Sequence, residues 1–310
     1  MTFAFVFPGQ GSQSVGMMQS FSDSGPVRGV FSEASDTLGQ DLWKLAAEGP
    51  PEALSATVNT QPLMLTAGYA IYRAWLDAGG GEPSVVAGHS LGEYTALVVA
   101  GALAFRDALP LVRFRAQAMQ EAVPMGQGAM AAILGLEDDA VRAACSEAAH
   151  GQVVEPVNFN APRQVVIAGH KAAVERGVAV ATSKGAKRAM MLPVSAPFHS
   201  SLLKPAAEKL SSYLGGVAVS APRIRVVNNV DVAVETDPQR IRQALARQAC
   251  SPVRWVETVR RIAADGIAHI AECGPGKVLA GLTRRIDGAL QSHAIADAPA
   301  LQQALVAFKT

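Results

Sequence analysis

The sequence predicts an α/β protein: a large domain on a parallel sheet, interrupted by a small β-α-β-β-α-β unit. Three observations carry this. Short apolar runs alternate with longer stretches of helical periodicity through most of the 310 residues. At Pro124-Met125-Gly126-Gln127-Gly128 the rhythm changes, and two strand patterns then follow one another directly between two helical ones. After Ser195-Ala196-Pro197 the single alternation resumes. The large domain is therefore expected over 1–125 and 197–310, with a ferredoxin-like domain inserted over 126–196.

The elements follow in order. Residues 3–7 are an aromatic and β-branched run closed by Pro8-Gly9, the pattern of a buried strand. Gly9-Gln10-Gly11-Ser12-Gln13 is then a loop able to bring backbone close to a ligand. Ser14 stands where the third glycine of G-x-G-x-x-G would be, so the loop is not read as a dinucleotide site. Helical patterns cover 27–37 and 42–47. Gln61-Pro62 is expected to open a helix over 63–78, with Gly79-Gly80-Gly81 ending it. A strand over 84–87 leads to a helix rich in Ala and Val over 95–100, expected to be buried on most faces. The amphipathic helix 106–123 carries Arg113 and Arg115.

In the inserted unit, strands are expected at 129–134, 153–158, 164–168 and 188–194, with helices at 137–149 and 171–183. Helix 202–214, strand 224–228, helices 238–248 and 253–264, strand 267–272 and a helix opening at Gly274-Pro275-Gly276-Lys277 complete the body.

Composition narrows the function. The chain is 49% hydrophobic and 17% charged, enough for a sizeable core, and its net charge of +1 argues against nucleic acid as a partner. Three separated cysteines without CxxC fit free thiols in a reducing cytoplasm. The N-terminus lacks a basic region and its apolar run is short for a signal peptide; no stretch reaches the ~18–20 apolar residues of a membrane span. No HExxH or cysteine pair at ligand spacing points to a metal.

The chemistry centres on Gly88-His89-Ser90-Leu91-Gly92. This fits G-x-S-x-G, a serine on a sharp strand-to-helix turn of α/β-hydrolase-like proteins, with glycines where side chains would clash. The turn lifts the hydroxyl out and aims helix N-terminal N–H groups at a developing oxyanion. A serine needs a base within hydrogen-bond reach. Of the six histidines, His89 adjoins Ser90 but points away from it. His150 and His170 have polar neighbours, and His293 lies in the tail. His199, in Pro197-Phe198-His199-Ser200 where the chain re-enters the large domain, is the first candidate and His269 the second. Periodicity identifies no orienting carboxylate. Gly274-Pro275-Gly276-Lys277 is read as a packing turn in preference to an anion site.

Phe7-Pro8-Gly9-Gln10-Gly11-Ser12-Gln13, Gly88-His89-Ser90-Leu91-Gly92-Glu93, Arg115, Pro197-Phe198-His199, Gln248 and Gly274-Pro275-Gly276 together resemble the malonyl-coenzyme A:acyl carrier protein transacylases of bacterial type II fatty acid synthesis. The resemblance spans essentially the whole chain. It implies that Ser90 is acylated, that His199 is its base, and that a backbone carbonyl at Gln248 replaces the usual aspartate. It also implies an oxyanion hole from the N–H groups of Gln10 and Leu91. Arg115 resembles the family's carboxylate clamp: a charge-assisted bond contributes roughly 1.5–3 kcal/mol, so a bidentate pair could discriminate malonyl from acetyl by about 10²-fold or more. Phe198 resembles the form that leaves little room for a 2-methyl branch.

The implied reaction is ping-pong exchange between malonyl-coenzyme A and the phosphopantetheine thiol of a holo acyl carrier protein, with no cofactor. Such carriers are acidic, so Lys187-Arg188 and Arg284-Arg285 are the expected docking residues. A monomer is expected. A serine hydrolase or thioesterase, an acyltransferase serving a polyketide synthase in trans, and a non-catalytic binding module are the competing readings.

Overall fold

Phe3–Phe7 (β1) forms the middle of a five-stranded parallel sheet, and its unbroken apolar run reflects burial on both faces. Phe3, Phe5 and Phe7 join one apolar cluster with Trp75, while Ala4 and Val6 join another with Trp255 on the opposite face. The computed structural model describes residues 2–194 and 196–308. Ser195, at the expected junction, lies outside the described residues with Met1, Lys309 and Thr310.

From β1 the chain runs through α1 (Gly25–Leu38), α2 (Leu42–Glu48), α3 (Pro51–Ser55) and α4 (Thr57–Asp77) to β2 (Val85–Gly88), then α5 (Gly92–Val99) and α6 (Phe105–Glu121). Next come β3 (Gly128–Leu134), α7 (Asp138–Ala149), β4 (Val154–Ala161), β5 (Gln164–His170), α8 (Lys171–Ser183) and β6 (Arg188–Met191). Then follow α9 (Lys204–Leu214), β7 (Arg225–Val227), α10 (Pro238–Gln248), α11 (Trp255–Ala264), β8 (His269–Cys273), α12 (Val278–Ile286), β9 (Gln291–Ile295) and α13 (Ala298–Ala307).

The parallel sheet has the order β7-β2-β1-β8-β9, and a separate antiparallel sheet the order β4-β5-β3-β6. Phe7 pairs with Gly88, so the loop after β1 and the turn after β2 leave neighbouring carboxyl ends of the parallel sheet. That is where ligands collect in open α/β sheets. Helices α7 and α8 cover one face of the antiparallel sheet. Its other face presents Met130, Val157, Val166 and Ala168 toward Phe198. A backbone link joins the two parts: Val253 N–H donates to Val157 O at 2.8 Å and Phe159 N–H to Val253 O at 3.0 Å.

The expected elements are present, with five departures, one of them the short helix α3, which the sequence pattern does not predict. Helix α4 begins at Thr57 and not at 63, because the helix runs through Pro62. The proline's missing N–H costs one intrahelical bond that the buried apolar face of α4 outweighs. Helix α11 starts at Trp255 because Val253 is engaged with β4. Strand β6 stops at Met191 and not at 194. The tail contains a fifth parallel strand, β9, and helix α13, whose Leu301, Ala304 and Leu305 seal the core beside Phe308.

Candidate active site

Strand β2 ends in a turn too tight for side chains at its edges. A Cβ on Gly88 would lie 1.8 Å from the Gly92 carbonyl carbon, and one on Gly92 2.0 Å from Phe7 O. Gly9 is equally constrained, since its Cβ would meet His89 O at 2.6 Å; the loop after β1 presses directly onto the turn. Between the glycines Ser90 adopts φ 51°, a conformation costly for a non-glycine residue and sustained only by its surroundings. Asn229, just beyond β7, supplies part of that support: Ser90 N–H donates to its Oδ1 at 2.8 Å, and its Nδ2 donates to Gly88 O at 2.7 Å.

His199 reaches this turn from the loop preceding α9. Its Nε2 lies 2.7 Å from Ser90 Oγ, and its Nδ1 lies 2.9 Å from Gln248 O. A carbonyl can only accept, so Nδ1 carries the hydrogen and Nε2 is left to accept from the serine. Burial, reinforced by the Arg115 guanidinium, pushes the His199 pKa down to about 3, and the imidazole is neutral. His269 does not share the role. It opens β8 opposite Phe3, at the other end of the sheet, with its ring stacked on His293 at 5.9 Å. His89 turns away from Ser90 and meets Asn160 Oδ1 at 2.8 Å.

Arg115, on α6, is only 1% exposed. Its Nη1 donates to Gln61 Oε1 at 2.8 Å, and its Nη2 to Gln248 Oε1 at 2.9 Å and to Ser90 Oγ at 3.1 Å. Nε has no partner among the described residues, and the guanidinium carbon sits 5.3 Å from the Tyr94 ring centroid. These acceptors are all neutral. A buried guanidinium without a carboxylate in contact is poised for an anionic ligand.

Behind the serine lies Glu93, 2% exposed. Its Oε2 accepts from Gln248 Nε2 and from Asn229 N–H, each at 2.9 Å, and burial pushes its pKa up to about 7. Gln248 Nε2 also donates to Ser90 O at 3.0 Å. Gln248 thus touches serine, arginine and glutamate with its side chain and histidine with its backbone.

A cavity of about 420 Å³ opens in front of Ser90 between the two sheets, walled by Gln10, His199, Arg115, Phe198 and the apolar face of the antiparallel sheet. Among the described residues no internal hydrogen bond occupies the backbone N–H of Gln10 or Leu91, and both residues line the cavity. Phe198 is half-buried and packs against apolar residues on both sides of it. Lys187, Arg188, Arg284 and Arg285 are exposed, apart from the cluster around Ser90. They stand on segments whose continuations, Leu192–Val194 and α12, line the cavity. Arg285 Nη1 donates to Gln164 Oε1 at 2.6 Å. The turn Gly274–Gly276 does pack closely, with Gly274 against the Pro8 ring, and Glu272 Oε2 accepts from Ala280 N–H at 2.9 Å, placing a carboxylate where an anion would bind.

Sequence reasoning missed Asn229, Gln61 and the part played by Glu93. The pair Asn228-Asn229 at the end of an apolar run was the available signal for the first. Among the described residues no group of three or more His, Cys, Asp or Glu could hold a metal, and no helix is long and apolar enough to cross a membrane. A serine hydroxyl on a neutral imidazole, beside a guanidinium with no carboxylate in contact and two N–H groups without an internal acceptor among the described residues, is equipped for attack on a carbonyl that carries a nearby negative charge.

Residues 4–303 match the acyl transferase domain family. The malonyl CoA-acyl carrier protein transacylase of Escherichia coli K12 is 56% identical over 304 residues, covering 98% of both chains. The acyl-carrier-protein S-malonyltransferase structure from Burkholderia pseudomallei superimposes with a TM-score of 0.98 at 67% identity, over 99% of this chain and 100% of that one. A malonyl-transacylase solved in complex with its type II polyketide acyl carrier protein gives 0.98 at 51% identity, with 99% and 100% covered.

Proposed function

This chain belongs to the acyl transferase domain family, and from that premise we propose that it transfers a malonyl group from malonyl-coenzyme A to the phosphopantetheine thiol of an acyl carrier protein. One observation carries the chemistry: Ser90 Oγ touches both His199 Nε2 and Arg115 Nη2. Ser90 attacks the thioester carbonyl while His199 Nε2 takes its proton. The oxyanion is met by the N–H groups of Gln10 and Leu91, and collapse releases coenzyme A with a proton from His199. A malonyl-serine ester remains, its carboxylate on Arg115. The carrier thiol gives its proton to His199 and attacks the ester, and His199 returns that proton to Ser90 Oγ as the carbon–oxygen bond breaks. Thioester is exchanged for thioester, so the reading requires no cofactor.

Gln248 holds His199 through its carbonyl, and Phe198 narrows the cavity against branched acyl groups. The serine elbow on a parallel sheet supports a hydrolase-like large domain over 1–125 and 197–310. The order β4-β5-β3-β6 supports a ferredoxin-like insert over 126–196. Free Cys145, Cys250 and Cys273 are in keeping with a cytoplasmic protein. A monomer is the expected state. Fatty acid elongation is the first destination for the malonyl group. A polyketide carrier is the second, favoured by the solved complex of a relative with such a carrier.

Intact mass after mixing with malonyl-coenzyme A, followed by a holo carrier chase, tests the reading. A malonyl adduct that Ser90→Ala lacks and that the carrier discharges is the expected result. Loss to water at the same rate with or without carrier would make the protein a hydrolase. An adduct persisting in Ser90→Ala would move the nucleophile elsewhere.

A further inference from the structure

The acid missing from His199 is present one residue removed. Glu93 Oε2 is a shared acceptor for Gln248 Nε2 and Asn229 N–H, and these two residues carry the rest of the site. Through Gln248 the carboxylate reaches the carbonyl on His199 Nδ1 and the amide oxygen on Arg115 Nη2. Through Asn229 it reaches the strained turn, because the Asn229 side chain holds Ser90 N–H and Gly88 O. The first of these bonds also leaves Ser90 N–H occupied, so it does not add to the N–H groups of Gln10 and Leu91. We propose that Glu93 is the positioning acid of this site, fixing nucleophile, base and guanidinium together through Gln248 and Asn229. The inference rests on the acyl-transfer reading.

An ionised carboxylate accepts two converging N–H groups more strongly than a protonated one. Losing its charge should loosen both arms while removing no group that itself touches substrate. The groups facing Glu93 are Arg115 from α6, Tyr94 from its own helix, and Asp231 and Glu235 beyond β7. Asp231 is paired with Arg247, and burial pushes Tyr94 up to about 12, so neither titrates near neutrality. His199, held down at about 3, does not either. Glu272 shares a value of about 7 but lies on β8, capping α12.

The test is single-turnover acylation with a malonyl thioester of N-acetylcysteamine, which carries no phosphate to titrate, followed by mass from pH 5.5 to 8.5. Wild-type acylation should slow as pH falls through about 7. Glu93→Gln, isosteric and checked by its melting temperature, should acylate at least ~10-fold more slowly at pH 8, with KM changed less than about threefold, and should lose that limb. A folded Glu93→Gln with wild-type rates, or one retaining the limb, would overturn the proposal. Should that variant not fold, the wild-type profile decides: a flat response across pH 7 also overturns it. Absence of any malonyl ester in the wild type would instead refute the transfer reading.

Discussion

Arg115 Nη2 lies 3.1 Å from Ser90 Oγ, on a guanidinium otherwise held by the side-chain carbonyls of Gln61 and Gln248. Charge and nucleophile are therefore within one acyl group's length. A malonyl carboxylate seated on the guanidinium would bring its thioester carbonyl to the serine, whereas acetyl would leave the arginine as it was. Arg115→Ala should lower kcat/KM for malonyl-coenzyme A by at least roughly 10- to 10²-fold, the worth of one charge-assisted bond. The same variant should change acetyl transfer by less than about threefold. Arg115→Lys should fall between, because an ammonium cannot make the planar fork. Equal losses for both thioesters would remove the clamp.

The serine turn depends on space as much as on chemistry. With backbone at 1.8 Å and 2.0 Å from the positions their Cβ atoms would take, Gly88→Ala and Gly92→Ala should each prevent a stable fold or lower its melting point strongly. Gly29, exposed in the interior of α1 with nothing within 4 Å of its Cβ position, is the control. Gly29→Ala should stabilise the protein by about 0.5–1 kcal/mol. Thermal unfolding of the three variants measures both directions.

These glycines also show what could be read from sequence. Local chemistry was legible: the glycine spacing around Ser90, the apolar alternation of the strands, and His199 as the first-choice base all follow from residue type and order. Partners distant in sequence were not. Asn229 meets Ser90 across 139 positions and Gln61 meets Arg115 across 54, with no periodicity to join them. Strand β9 was hidden because Gln291–Ile295 is a half-buried edge strand with mixed polarity, unlike the apolar run of β1. Proline suggested a helix start at Pro62 because its local preference is strong, and burial of α4 overrode it.

Glu272 gives the protein a stability that falls with rising pH. Burial pushes its pKa from 4.5 up to about 7, and Oε1 has no partner among the described residues. Between those values the folded chain holds a proton that the unfolded chain has released, so stability declines as pH rises. The penalty is complete above about 7 and absent below about 4.5. Glu272→Gln cannot titrate. Its melting temperature relative to wild type should therefore be higher at pH 8 than at pH 5, by roughly 2 °C or more. The constant effect of the amide cancels in that comparison, and a difference independent of pH would refute the assignment.

Carrier kinetics should separate the two basic pairs. Lys187 immediately precedes β6 and Arg188 opens it, and neither has an acidic partner within 4.0 Å among the described residues. Reversing both to Glu should raise KM for the acidic carrier several-fold while sparing that for malonyl-coenzyme A, and added salt should shrink the effect. Arg284 and Arg285 share the last turn of α12 but differ in attachment, since Arg285 also donates to Gln164 on β5. Arg284→Glu should therefore alter carrier KM alone. Arg285→Glu should also lower the melting temperature, by releasing α12 from the antiparallel sheet. Steady-state kinetics with carrier and coenzyme A thioester varied separately, beside thermal unfolding, distinguish these outcomes; carrier KM unchanged in all variants would place docking on another surface.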